Sequence, residues 1–226
     1  MNGPIAETSL AHADLMDRTY RYQKYIYDLT RKYYLLGRDR TIAGLNLAPG
    51  RSLLEIGCGT GRNLAMAARR HPGAVFYGLD ISAEMLALAR ARLGENLLRP
   101  EDLKLLDAAS FRPEDFDTDG FDRILISYAL SMIPDWRGTI ERAVDALAPD
   151  GELHIVDFGE QDRLPAWFRR ALRSWLARFH VTPRAELPAM LEAISAKRNL
   201  TLHSTTLVRD YARLFILKRS SAQVGG

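Results

Sequence analysis

Leu53-Leu54-Glu55-Ile56-Gly57-Cys58-Gly59-Thr60-Gly61-Arg62-Asn63 passes from a short apolar run, through three glycines spaced by single residues, into helix-forming sequence. Such a stretch reads as a strand that turns sharply into a helix, because glycine lets the backbone bend tightly and approach a ligand without a Cβ in the way. A second apolar run closes on Gly78-Leu79-Asp80-Ile81-Ser82, with the Asp80 carboxylate 23 residues past Gly57. That is near the roughly 20-residue offset at which an acidic group meets a ribose hydroxyl pair. Two details argue against a dinucleotide. Arg62 stands where the third dinucleotide-motif glycine would be, and Glu55 lies just before the loop, where it would repel a pyrophosphate. The pattern suits a nucleoside ligand that carries an amine. Cys58 reads as a small loop residue, since a helix N-terminus alone does not make a nucleophile.

Outward from this loop, strand-like runs alternate with helical patterns, the signature of a parallel sheet with crossover helices. Strands are expected near 51–56, 74–80, 102–106, 121–127 and 151–157. Between the last two, Trp136, Ile140, Ala143, Val144 and Leu147 recur at helical spacing and predict one buried stripe, closed by the turn Ala148-Pro149-Asp150-Gly151. Thr201 to Val208 and Tyr211 to Leu217 lie close enough together to form an antiparallel hairpin. The fold class is α/β.

The chain of 226 residues is 47% hydrophobic and 26% charged, ordinary globular usage that excludes a disordered tail, a collagen-like chain and a disulfide scaffold. One cysteine rules out an internal disulfide and a multi-cysteine zinc site, and points to a reducing compartment, the cytoplasm by default. The first twenty residues do not read as a secretory signal, and the longest apolar run is too short to span a bilayer. The net charge of +3 is concentrated in two segments. Tyr20 to Arg40 holds six basic residues against two acidic, and Gln161 to His180 five against one. Either these are solvated helix faces, or they meet an anionic partner such as nucleic acid or acidic lipid headgroups.

Taken together, Glu-Ile-Gly-Cys-Gly-Thr-Gly, Gly-Leu-Asp-Ile-Ser, Leu-Leu-Asp-Ala-Ala and Pro-Asp-Gly-Glu-Leu resemble the class I S-adenosylmethionine-dependent methyltransferases, over about Arg51 to Gly159. The resemblance implies a Rossmann-like, mostly parallel seven-stranded sheet whose last strand is antiparallel. It implies S-adenosylmethionine as the cofactor and no metal. Glu55 and the loop of Gly57, Gly59 and Gly61 would hold the methionine portion, Asp80 the ribose, and Asp107 with Ala108 the adenine edge, while Ile81 and Met85 would pack on the adenine. Ser127 and Tyr128 would face the transferred methyl group. Residues 1–226 are then one methyltransferase domain, with a helical lid at 15–48, a cofactor-binding core at 51–159 and a substrate- and membrane-facing part at 160–226.

The acceptor is read from the flanks. Ser127-Tyr128-Ala129-Leu130 lacks the Asn/Asp-Pro-Pro-Tyr motif of base-amino methyltransferases, and no Pro-Cys nucleophile is present, so a nucleic acid substrate loses ground. Six of the nine tyrosines fall between Tyr20 and Tyr34. Aromatic faces attract cations, so a tyrosine-lined pocket suits a sulfonium donor or a growing quaternary ammonium, with Tyr27 and Tyr33 nearest the methyl group. The alternative is an amphipathic helix whose tyrosines pack on the sheet. Leu164, Phe168, Ala171, Leu172, Trp175 and Phe179 share a helical face with arginines mostly elsewhere. This face either packs on the sheet or, with Trp167, lies at a lipid interface. Both flanks resemble the bacterial betaine-lipid methyltransferases, which convert diacylglyceryl-homoserine to its trimethyl form. That resemblance implies a lipid acceptor at an anionic membrane surface, peripheral association with its inner face, and partnership with an aminocarboxypropyl-transferring enzyme. A soluble small-molecule or quinone methyltransferase, and a non-catalytic adaptor that binds the cofactor, are the competing readings. His154, Tyr27 and Tyr128 are the available bases, although His154, inside the fifth strand, reads first as a core residue.

Overall fold

The strand β1 (Ser52–Ile56) lies between β2 (Val75–Asp80) and β4 (Phe121–Ser127), parallel to both. The computed structural model describes residues 35–94, 98–177 and 181–219. With β3 (Leu103–Leu105), β5 (Leu147–Phe158), β6 (Leu200–Leu207) and β7 (Ala212–Arg219), these strands form one seven-stranded sheet in the order β3-β2-β1-β4-β5-β7-β6. β7 runs antiparallel to both β5 and β6, so the terminal hairpin forms as expected.

Each central strand is buried on both faces, and its residues alternate between them. Leu54, Ile56, Ile124, Ile126, Leu153 and Ile155 point into one core, covered by α4 (Trp136–Asp145) and α6 (Leu187–Arg198). Leu53 and Leu125 point into the other, covered by α1 (Arg38–Ala43), α2 (Arg62–Arg70) and α3 (Ala83–Leu93). The expected stripe of Trp136, Ile140, Ala143, Val144 and Leu147 is buried throughout. α4 starts where the Asp135 side chain accepts from the Gly138 amide at 2.9 Å, the usual way to satisfy a first-turn donor.

Two local expectations change. Residues 148–151 do not leave the sheet as a free turn but form an irregularity inside β5, where pairing jumps from Phe121↔Leu147 to Arg123↔Glu152. The Phe121 amide donates to the Ala146 carbonyl at 2.9 Å, which keeps the start of β4 paired across the jump. The second concerns α5 (Ala166–Ala177), whose apolar arc is split. Leu172 and Leu176 are buried with Val156, Phe158, Leu207 and Leu214 in a third cluster beyond the carboxyl end of β5. Trp175 is half-buried, while Trp167, Phe168 and Ala171 are exposed. The helix sits at a corner of the sheet and touches it along one edge only. Two leucines at roughly 1.5–3 kcal/mol each are its principal apolar anchors.

Of the expected lid at 15–48, residues 15–34 lie outside the described residues, as does Phe179. Among the described residues, no helix is long and apolar enough to cross a membrane.

Candidate active site

The carboxyl ends of β3, β2, β1 and β4 stand side by side, and the strand order reverses between β1 and β4. Open α/β sheets bind ligands at such a switch point. The glycine loop leaves β1 here. Gly57 and Gly61 both have φ of 69°, in the left-handed region. A Cβ on Gly57 would stand 2.8 Å from the Ala129 Cβ, and one on Gly61 would stand 2.9 Å from Leu93 Cδ1. Glycine is therefore required at both positions by conformation and by close approach, the first against the segment after β4, the second against α3. Gly61 also caps α2, so the first amides of that helix open toward the loop and favour an anion there.

Asp80 ties the second strand to the loop. Its Oδ2 accepts from the Gly59 amide at 2.8 Å, and its Oδ1 from the Ser82 amide at 2.9 Å. The Leu106 amide donates to the Asp80 carbonyl at 3.2 Å, which brings the next acidic turn alongside. In that turn Asp107 Oδ1 accepts from the Ala109 amide at 2.8 Å, and Ala108 is buried. Met85 is buried on the first turn of α3, and Ile81 is half-buried between Asp80 and the Ser82 cap.

Glu55, Gly57 and Ser127, all singled out from sequence, line one cleft with Cys58, Thr60 and Asn63. Leu35 and Arg38, from the segment before β1, also line it. Glu55 is 1% exposed, and its Oε1 accepts from Asn63 Nδ2 at 2.6 Å. Asn63 and Arg38 were missed. The sequence places Asn63 one helical step past the loop, a signal that could have been used. Arg38 counted toward a surface charge cluster, but it is 5% exposed, turned inward beside the cleft. Burial, followed by the nearby Asp80 and Glu55 charges, pushes the Cys58 thiol well up, so it stays a neutral small residue as expected.

Tyr128 follows Ser127 but turns elsewhere. Its φ is 55°, its ring meets Phe158 edge-on at 4.7 Å, and its hydroxyl donates to the Leu36 carbonyl at 2.5 Å. Burial raises its phenol well above the usual value, so at neutral pH the hydroxyl is a donor. His154 is 1% exposed within the sheet, and its Nε2 meets Glu152 Oε2 at 3.0 Å, as a core histidine would. Tyr27 and Tyr33 lie outside the described residues.

The residues present fit S-adenosylmethionine. The cleft pairs a buried carboxylate with a buried guanidinium and a helix N-terminus, matching a zwitterionic amino-acid group. Asn63 Oδ1 and Ser127 Oγ are buried and meet no hydrogen-bond partner among the described residues.

Comparison with known proteins agrees. Residues 54–153 match the family model described as a methyltransferase domain. The chain is 31% identical over 195 residues to a phosphatidylethanolamine N-methyltransferase of Cereibacter sphaeroides, covering 85% of this chain and 91% of that relative. It is 34% identical over 134 residues to a trans-aconitate 2-methyltransferase of Variovorax paradoxus, covering 59% of this chain and 47% of that one. The fold is shared with phosphoethanolamine N-methyltransferase 2 of Haemonchus contortus, solved with S-adenosylhomocysteine and phosphomonomethylethanolamine. The TM-score there is 0.69 at 17% identity, over 92% of this chain and 60% of that one. The same enzyme was solved with S-adenosyl-L-methionine. The chain belongs to the class I S-adenosylmethionine-dependent methyltransferases. It is an enzyme of that class, with S-adenosylmethionine as its cofactor, and one of its relatives methylates the amine of a lipid.

Proposed function

We propose that the enzyme N-methylates the amine headgroup of a diacyl lipid at an anionic membrane surface, with diacylglyceryl-homoserine as the acceptor and its trimethyl betaine as the end product. The observation that carries the lipid reading is α5. Beside the carboxyl end of β5 it leaves Trp167 68% exposed and Phe168 38% exposed, among Arg163, Arg169, Arg170 and Arg173. Apolar rings with adjacent guanidinium groups are the surface chemistry of a helix lying in a headgroup layer. The choice of headgroup rests on the flanking sequence and its resemblance to betaine-lipid methyltransferases. A second headgroup, phosphatidylethanolamine, is favoured by the relative that carries that activity in its name.

Bound S-adenosylmethionine supplies a methyl carbon already activated by a sulfonium. The protein aligns, excludes water and keeps the amine neutral for in-line attack. Glu55 and Arg38 hold the amino-acid end, Asp80 the ribose, and the Asp107–Ala108 turn the base. Ser127 borders the reacting end of the cleft. Tyr128 acts as an anchor, fixing Leu36 and so the approach of the preceding segment, in which Tyr27 and Tyr33 are proposed to face the cationic nitrogen.

The test uses donor labelled in the methyl group, with mixed vesicles carrying diacylglyceryl-homoserine or phosphatidylethanolamine. Label should enter the organic phase as mono-, di- and trimethylated lipid, and faster with the homoserine lipid. Label found solely in water-soluble products of a metabolite extract would overturn the lipid reading, and preference for phosphatidylethanolamine would transfer the assignment to it.

A further inference from the structure

A second cavity of about 700 Å³ lies beyond the cofactor cleft, bounded by α5, the end of β5, β7 and the 181–188 segment. No residue assigned above to the cofactor lines it. Phe158 lines the cavity, and its ring packs on Tyr128, which directly follows the cleft residue Ser127. That ring pair links the residue after Ser127 to the wall of the cavity.

The walls combine two chemistries. Leu176, Val181 and Phe215 are apolar, whereas Arg173, Arg184 and Arg213 bring three guanidinium groups. Arg213 is neutralised, with Nε 2.6 Å from Asp210 Oδ1 and Nη1 3.2 Å from Glu160 Oε1. The other two donate to neutral carbonyls. Arg173 Nη2 reaches the Glu160 carbonyl at 2.7 Å, and Arg184 reaches those of Leu130 and Ile133 at 3.1 and 2.9 Å. Among the described residues no carboxylate oxygen stands within ion-pair distance of either. Two arginines that pair with no carboxylate thus line, together with Glu160 and the apolar side chains, a space large enough for a sizeable ligand. Free phosphate would use the charges but not the apolar walls, and a bare hydrocarbon would use the walls but not the charges.

Resting on the lipid reading above, we propose that this cavity receives the glycerol and first acyl carbons of the acceptor lipid, with Arg173 and Arg184 binding the oxyanion next to its amine. The wall carrying Arg173 and Leu176 is α5 itself, the helix whose outer side bears Trp167 and Phe168. One helix would therefore meet the bilayer on its outside and guide the lipid along its inside.

Titration calorimetry on the chain loaded with adenosylhomocysteine tests this, using monomeric dihexanoyl phosphatidylethanolamine as the probe and glycerophosphoethanolamine and inorganic phosphate as chainless controls. The wild type should bind the chained lipid at least tenfold more tightly than either control. Arg173→Gln should weaken it about fivefold. Ala177→Trp, which fills the cavity from an exposed position one helical turn after Arg173 and leaves that guanidinium in place, should reduce it to the level of glycerophosphoethanolamine. Because Arg184 also ties the 181–188 segment to the segment after β4, R184Q is a supporting variant, interpreted only where adenosylhomocysteine affinity is retained. Absence of wild-type binding, equal affinity for the chainless controls, or unchanged affinity in R173Q and A177W would each overturn the proposal. Lipid that binds as expected but accepts no methyl would defeat the functional reading and leave the cavity assignment standing. Methyl transfer to lipid at equal KM in all variants would do the reverse.

Discussion

Tyr128 and Leu36, 92 positions apart, are joined by a 2.5 Å hydrogen bond from the phenol to the backbone carbonyl, which pins the segment ahead of α1 to the end of β4. Leu35, the neighbour of Leu36, lines the cofactor cleft, so the bond fixes one wall of that cleft. Tyr128→Phe keeps the ring against Phe158 and removes only the bond. It should cost about 1 kcal/mol of stability, the net worth of one such bond. Adenosylhomocysteine affinity should fall two- to threefold and methyl transfer about tenfold, because the loosened segment leads directly from Tyr27 and Tyr33. Equal turnover of the variant and wild type would remove the anchoring role.

Asp80 is the acidic group on which the ribose assignment stands. Its two oxygens already accept the Gly59 and Ser82 amides, so Asp80→Asn turns an NH2 toward one of those donors and withdraws the charge from the other. Charged hydrogen bonds are worth about 1.5–3 kcal/mol, and ~1.4 kcal/mol is tenfold in affinity. The adenosylhomocysteine Kd should therefore rise roughly 10- to 100-fold by calorimetry. Gly57→Ala adds a Cβ 2.8 Å from Ala129 at a φ of 69°. A strain of about 1–3 kcal/mol is expected, with cofactor binding lost ahead of global unfolding. An Asp80→Asn protein with unaltered affinity would show that the ribose is held elsewhere.

The cofactor half of the site was legible because glycine spacing and a strand-end carboxylate are local patterns. Glu55, Gly57, Gly59, Gly61 and Asp80 stand in or beside two successive strand-to-helix turns, and positive φ favours glycine at 57, 59 and 61. Asn63 and Arg38 were not legible, since a buried polar residue on a helix looks like a solvated one until the fold shows what covers it. Arg38 even entered the charge count as surface. For α5 the sequence left packing on the sheet and an exposed interface both open, and periodicity alone does not divide them. Helical periodicity reported the whole apolar arc, but only tertiary placement decides how much of an arc is covered, and here Leu172 and Leu176 are buried while Trp167 and Phe168 are not. The irregularity at 148–151 was hidden similarly, because Pro-Asp-Gly marks a bend without saying whether the strand resumes.

Two carboxylates on β5 carry opposite pH signatures. The hydrogen bond from His154, with Arg123 and Lys218 nearby, lowers Glu152 from its ordinary 4.5 to about 2. Its stabilising contribution is present above about pH 4.5 and is lost as pH falls toward 2. Burial raises Asp157 from 3.8 to about 6, against the amides of Phe158 and Ser131, which donate to it. For this group the protonated form is the one the fold prefers. Its contribution is complete below about pH 3.8 and is lost as pH rises through 6, amounting to at most about 3 kcal/mol at ~1.4 kcal/mol per pH unit. Urea unfolding across pH 3.5–7.5 should show wild-type stability declining from about pH 4 to about pH 6 and levelling off above it. Asp157→Asn should be less stable in acid, because an NH2 then faces a backbone donor, but flat over the same interval. A wild-type profile that rises through pH 6, with the variant parallel to it, would contradict the assignment.

Membrane association is expected to depend on the exposed half of α5. Trp167 and Phe168 pack on each other with ring centroids 5.7 Å apart, outside the cluster that holds the helix to the sheet. Removing them should leave the fold intact. Arg163 and Arg170 are exposed beside them and are available to anionic headgroups. Each basic side chain near such a surface contributes about 1 kcal/mol, and the contribution is screened by salt. Wild-type protein should sediment with phosphatidylglycerol-rich vesicles and much less with neutral phosphatidylcholine ones, and raising the salt concentration should release it. Trp167→Ala with Phe168→Ala should cut the bound fraction at least fivefold at any salt concentration. Arg163→Gln with Arg170→Gln should cut it comparably at low salt and hardly at high salt. Both pairs should keep wild-type affinity for adenosylhomocysteine, since neither touches the cleft. Lipid methylation should fall in proportion to the bound fraction. If binding to anionic vesicles persists undiminished in both double variants, the docking surface lies outside α5, and the basic tyrosine-rich segment at 20–34 becomes the next place to mutate.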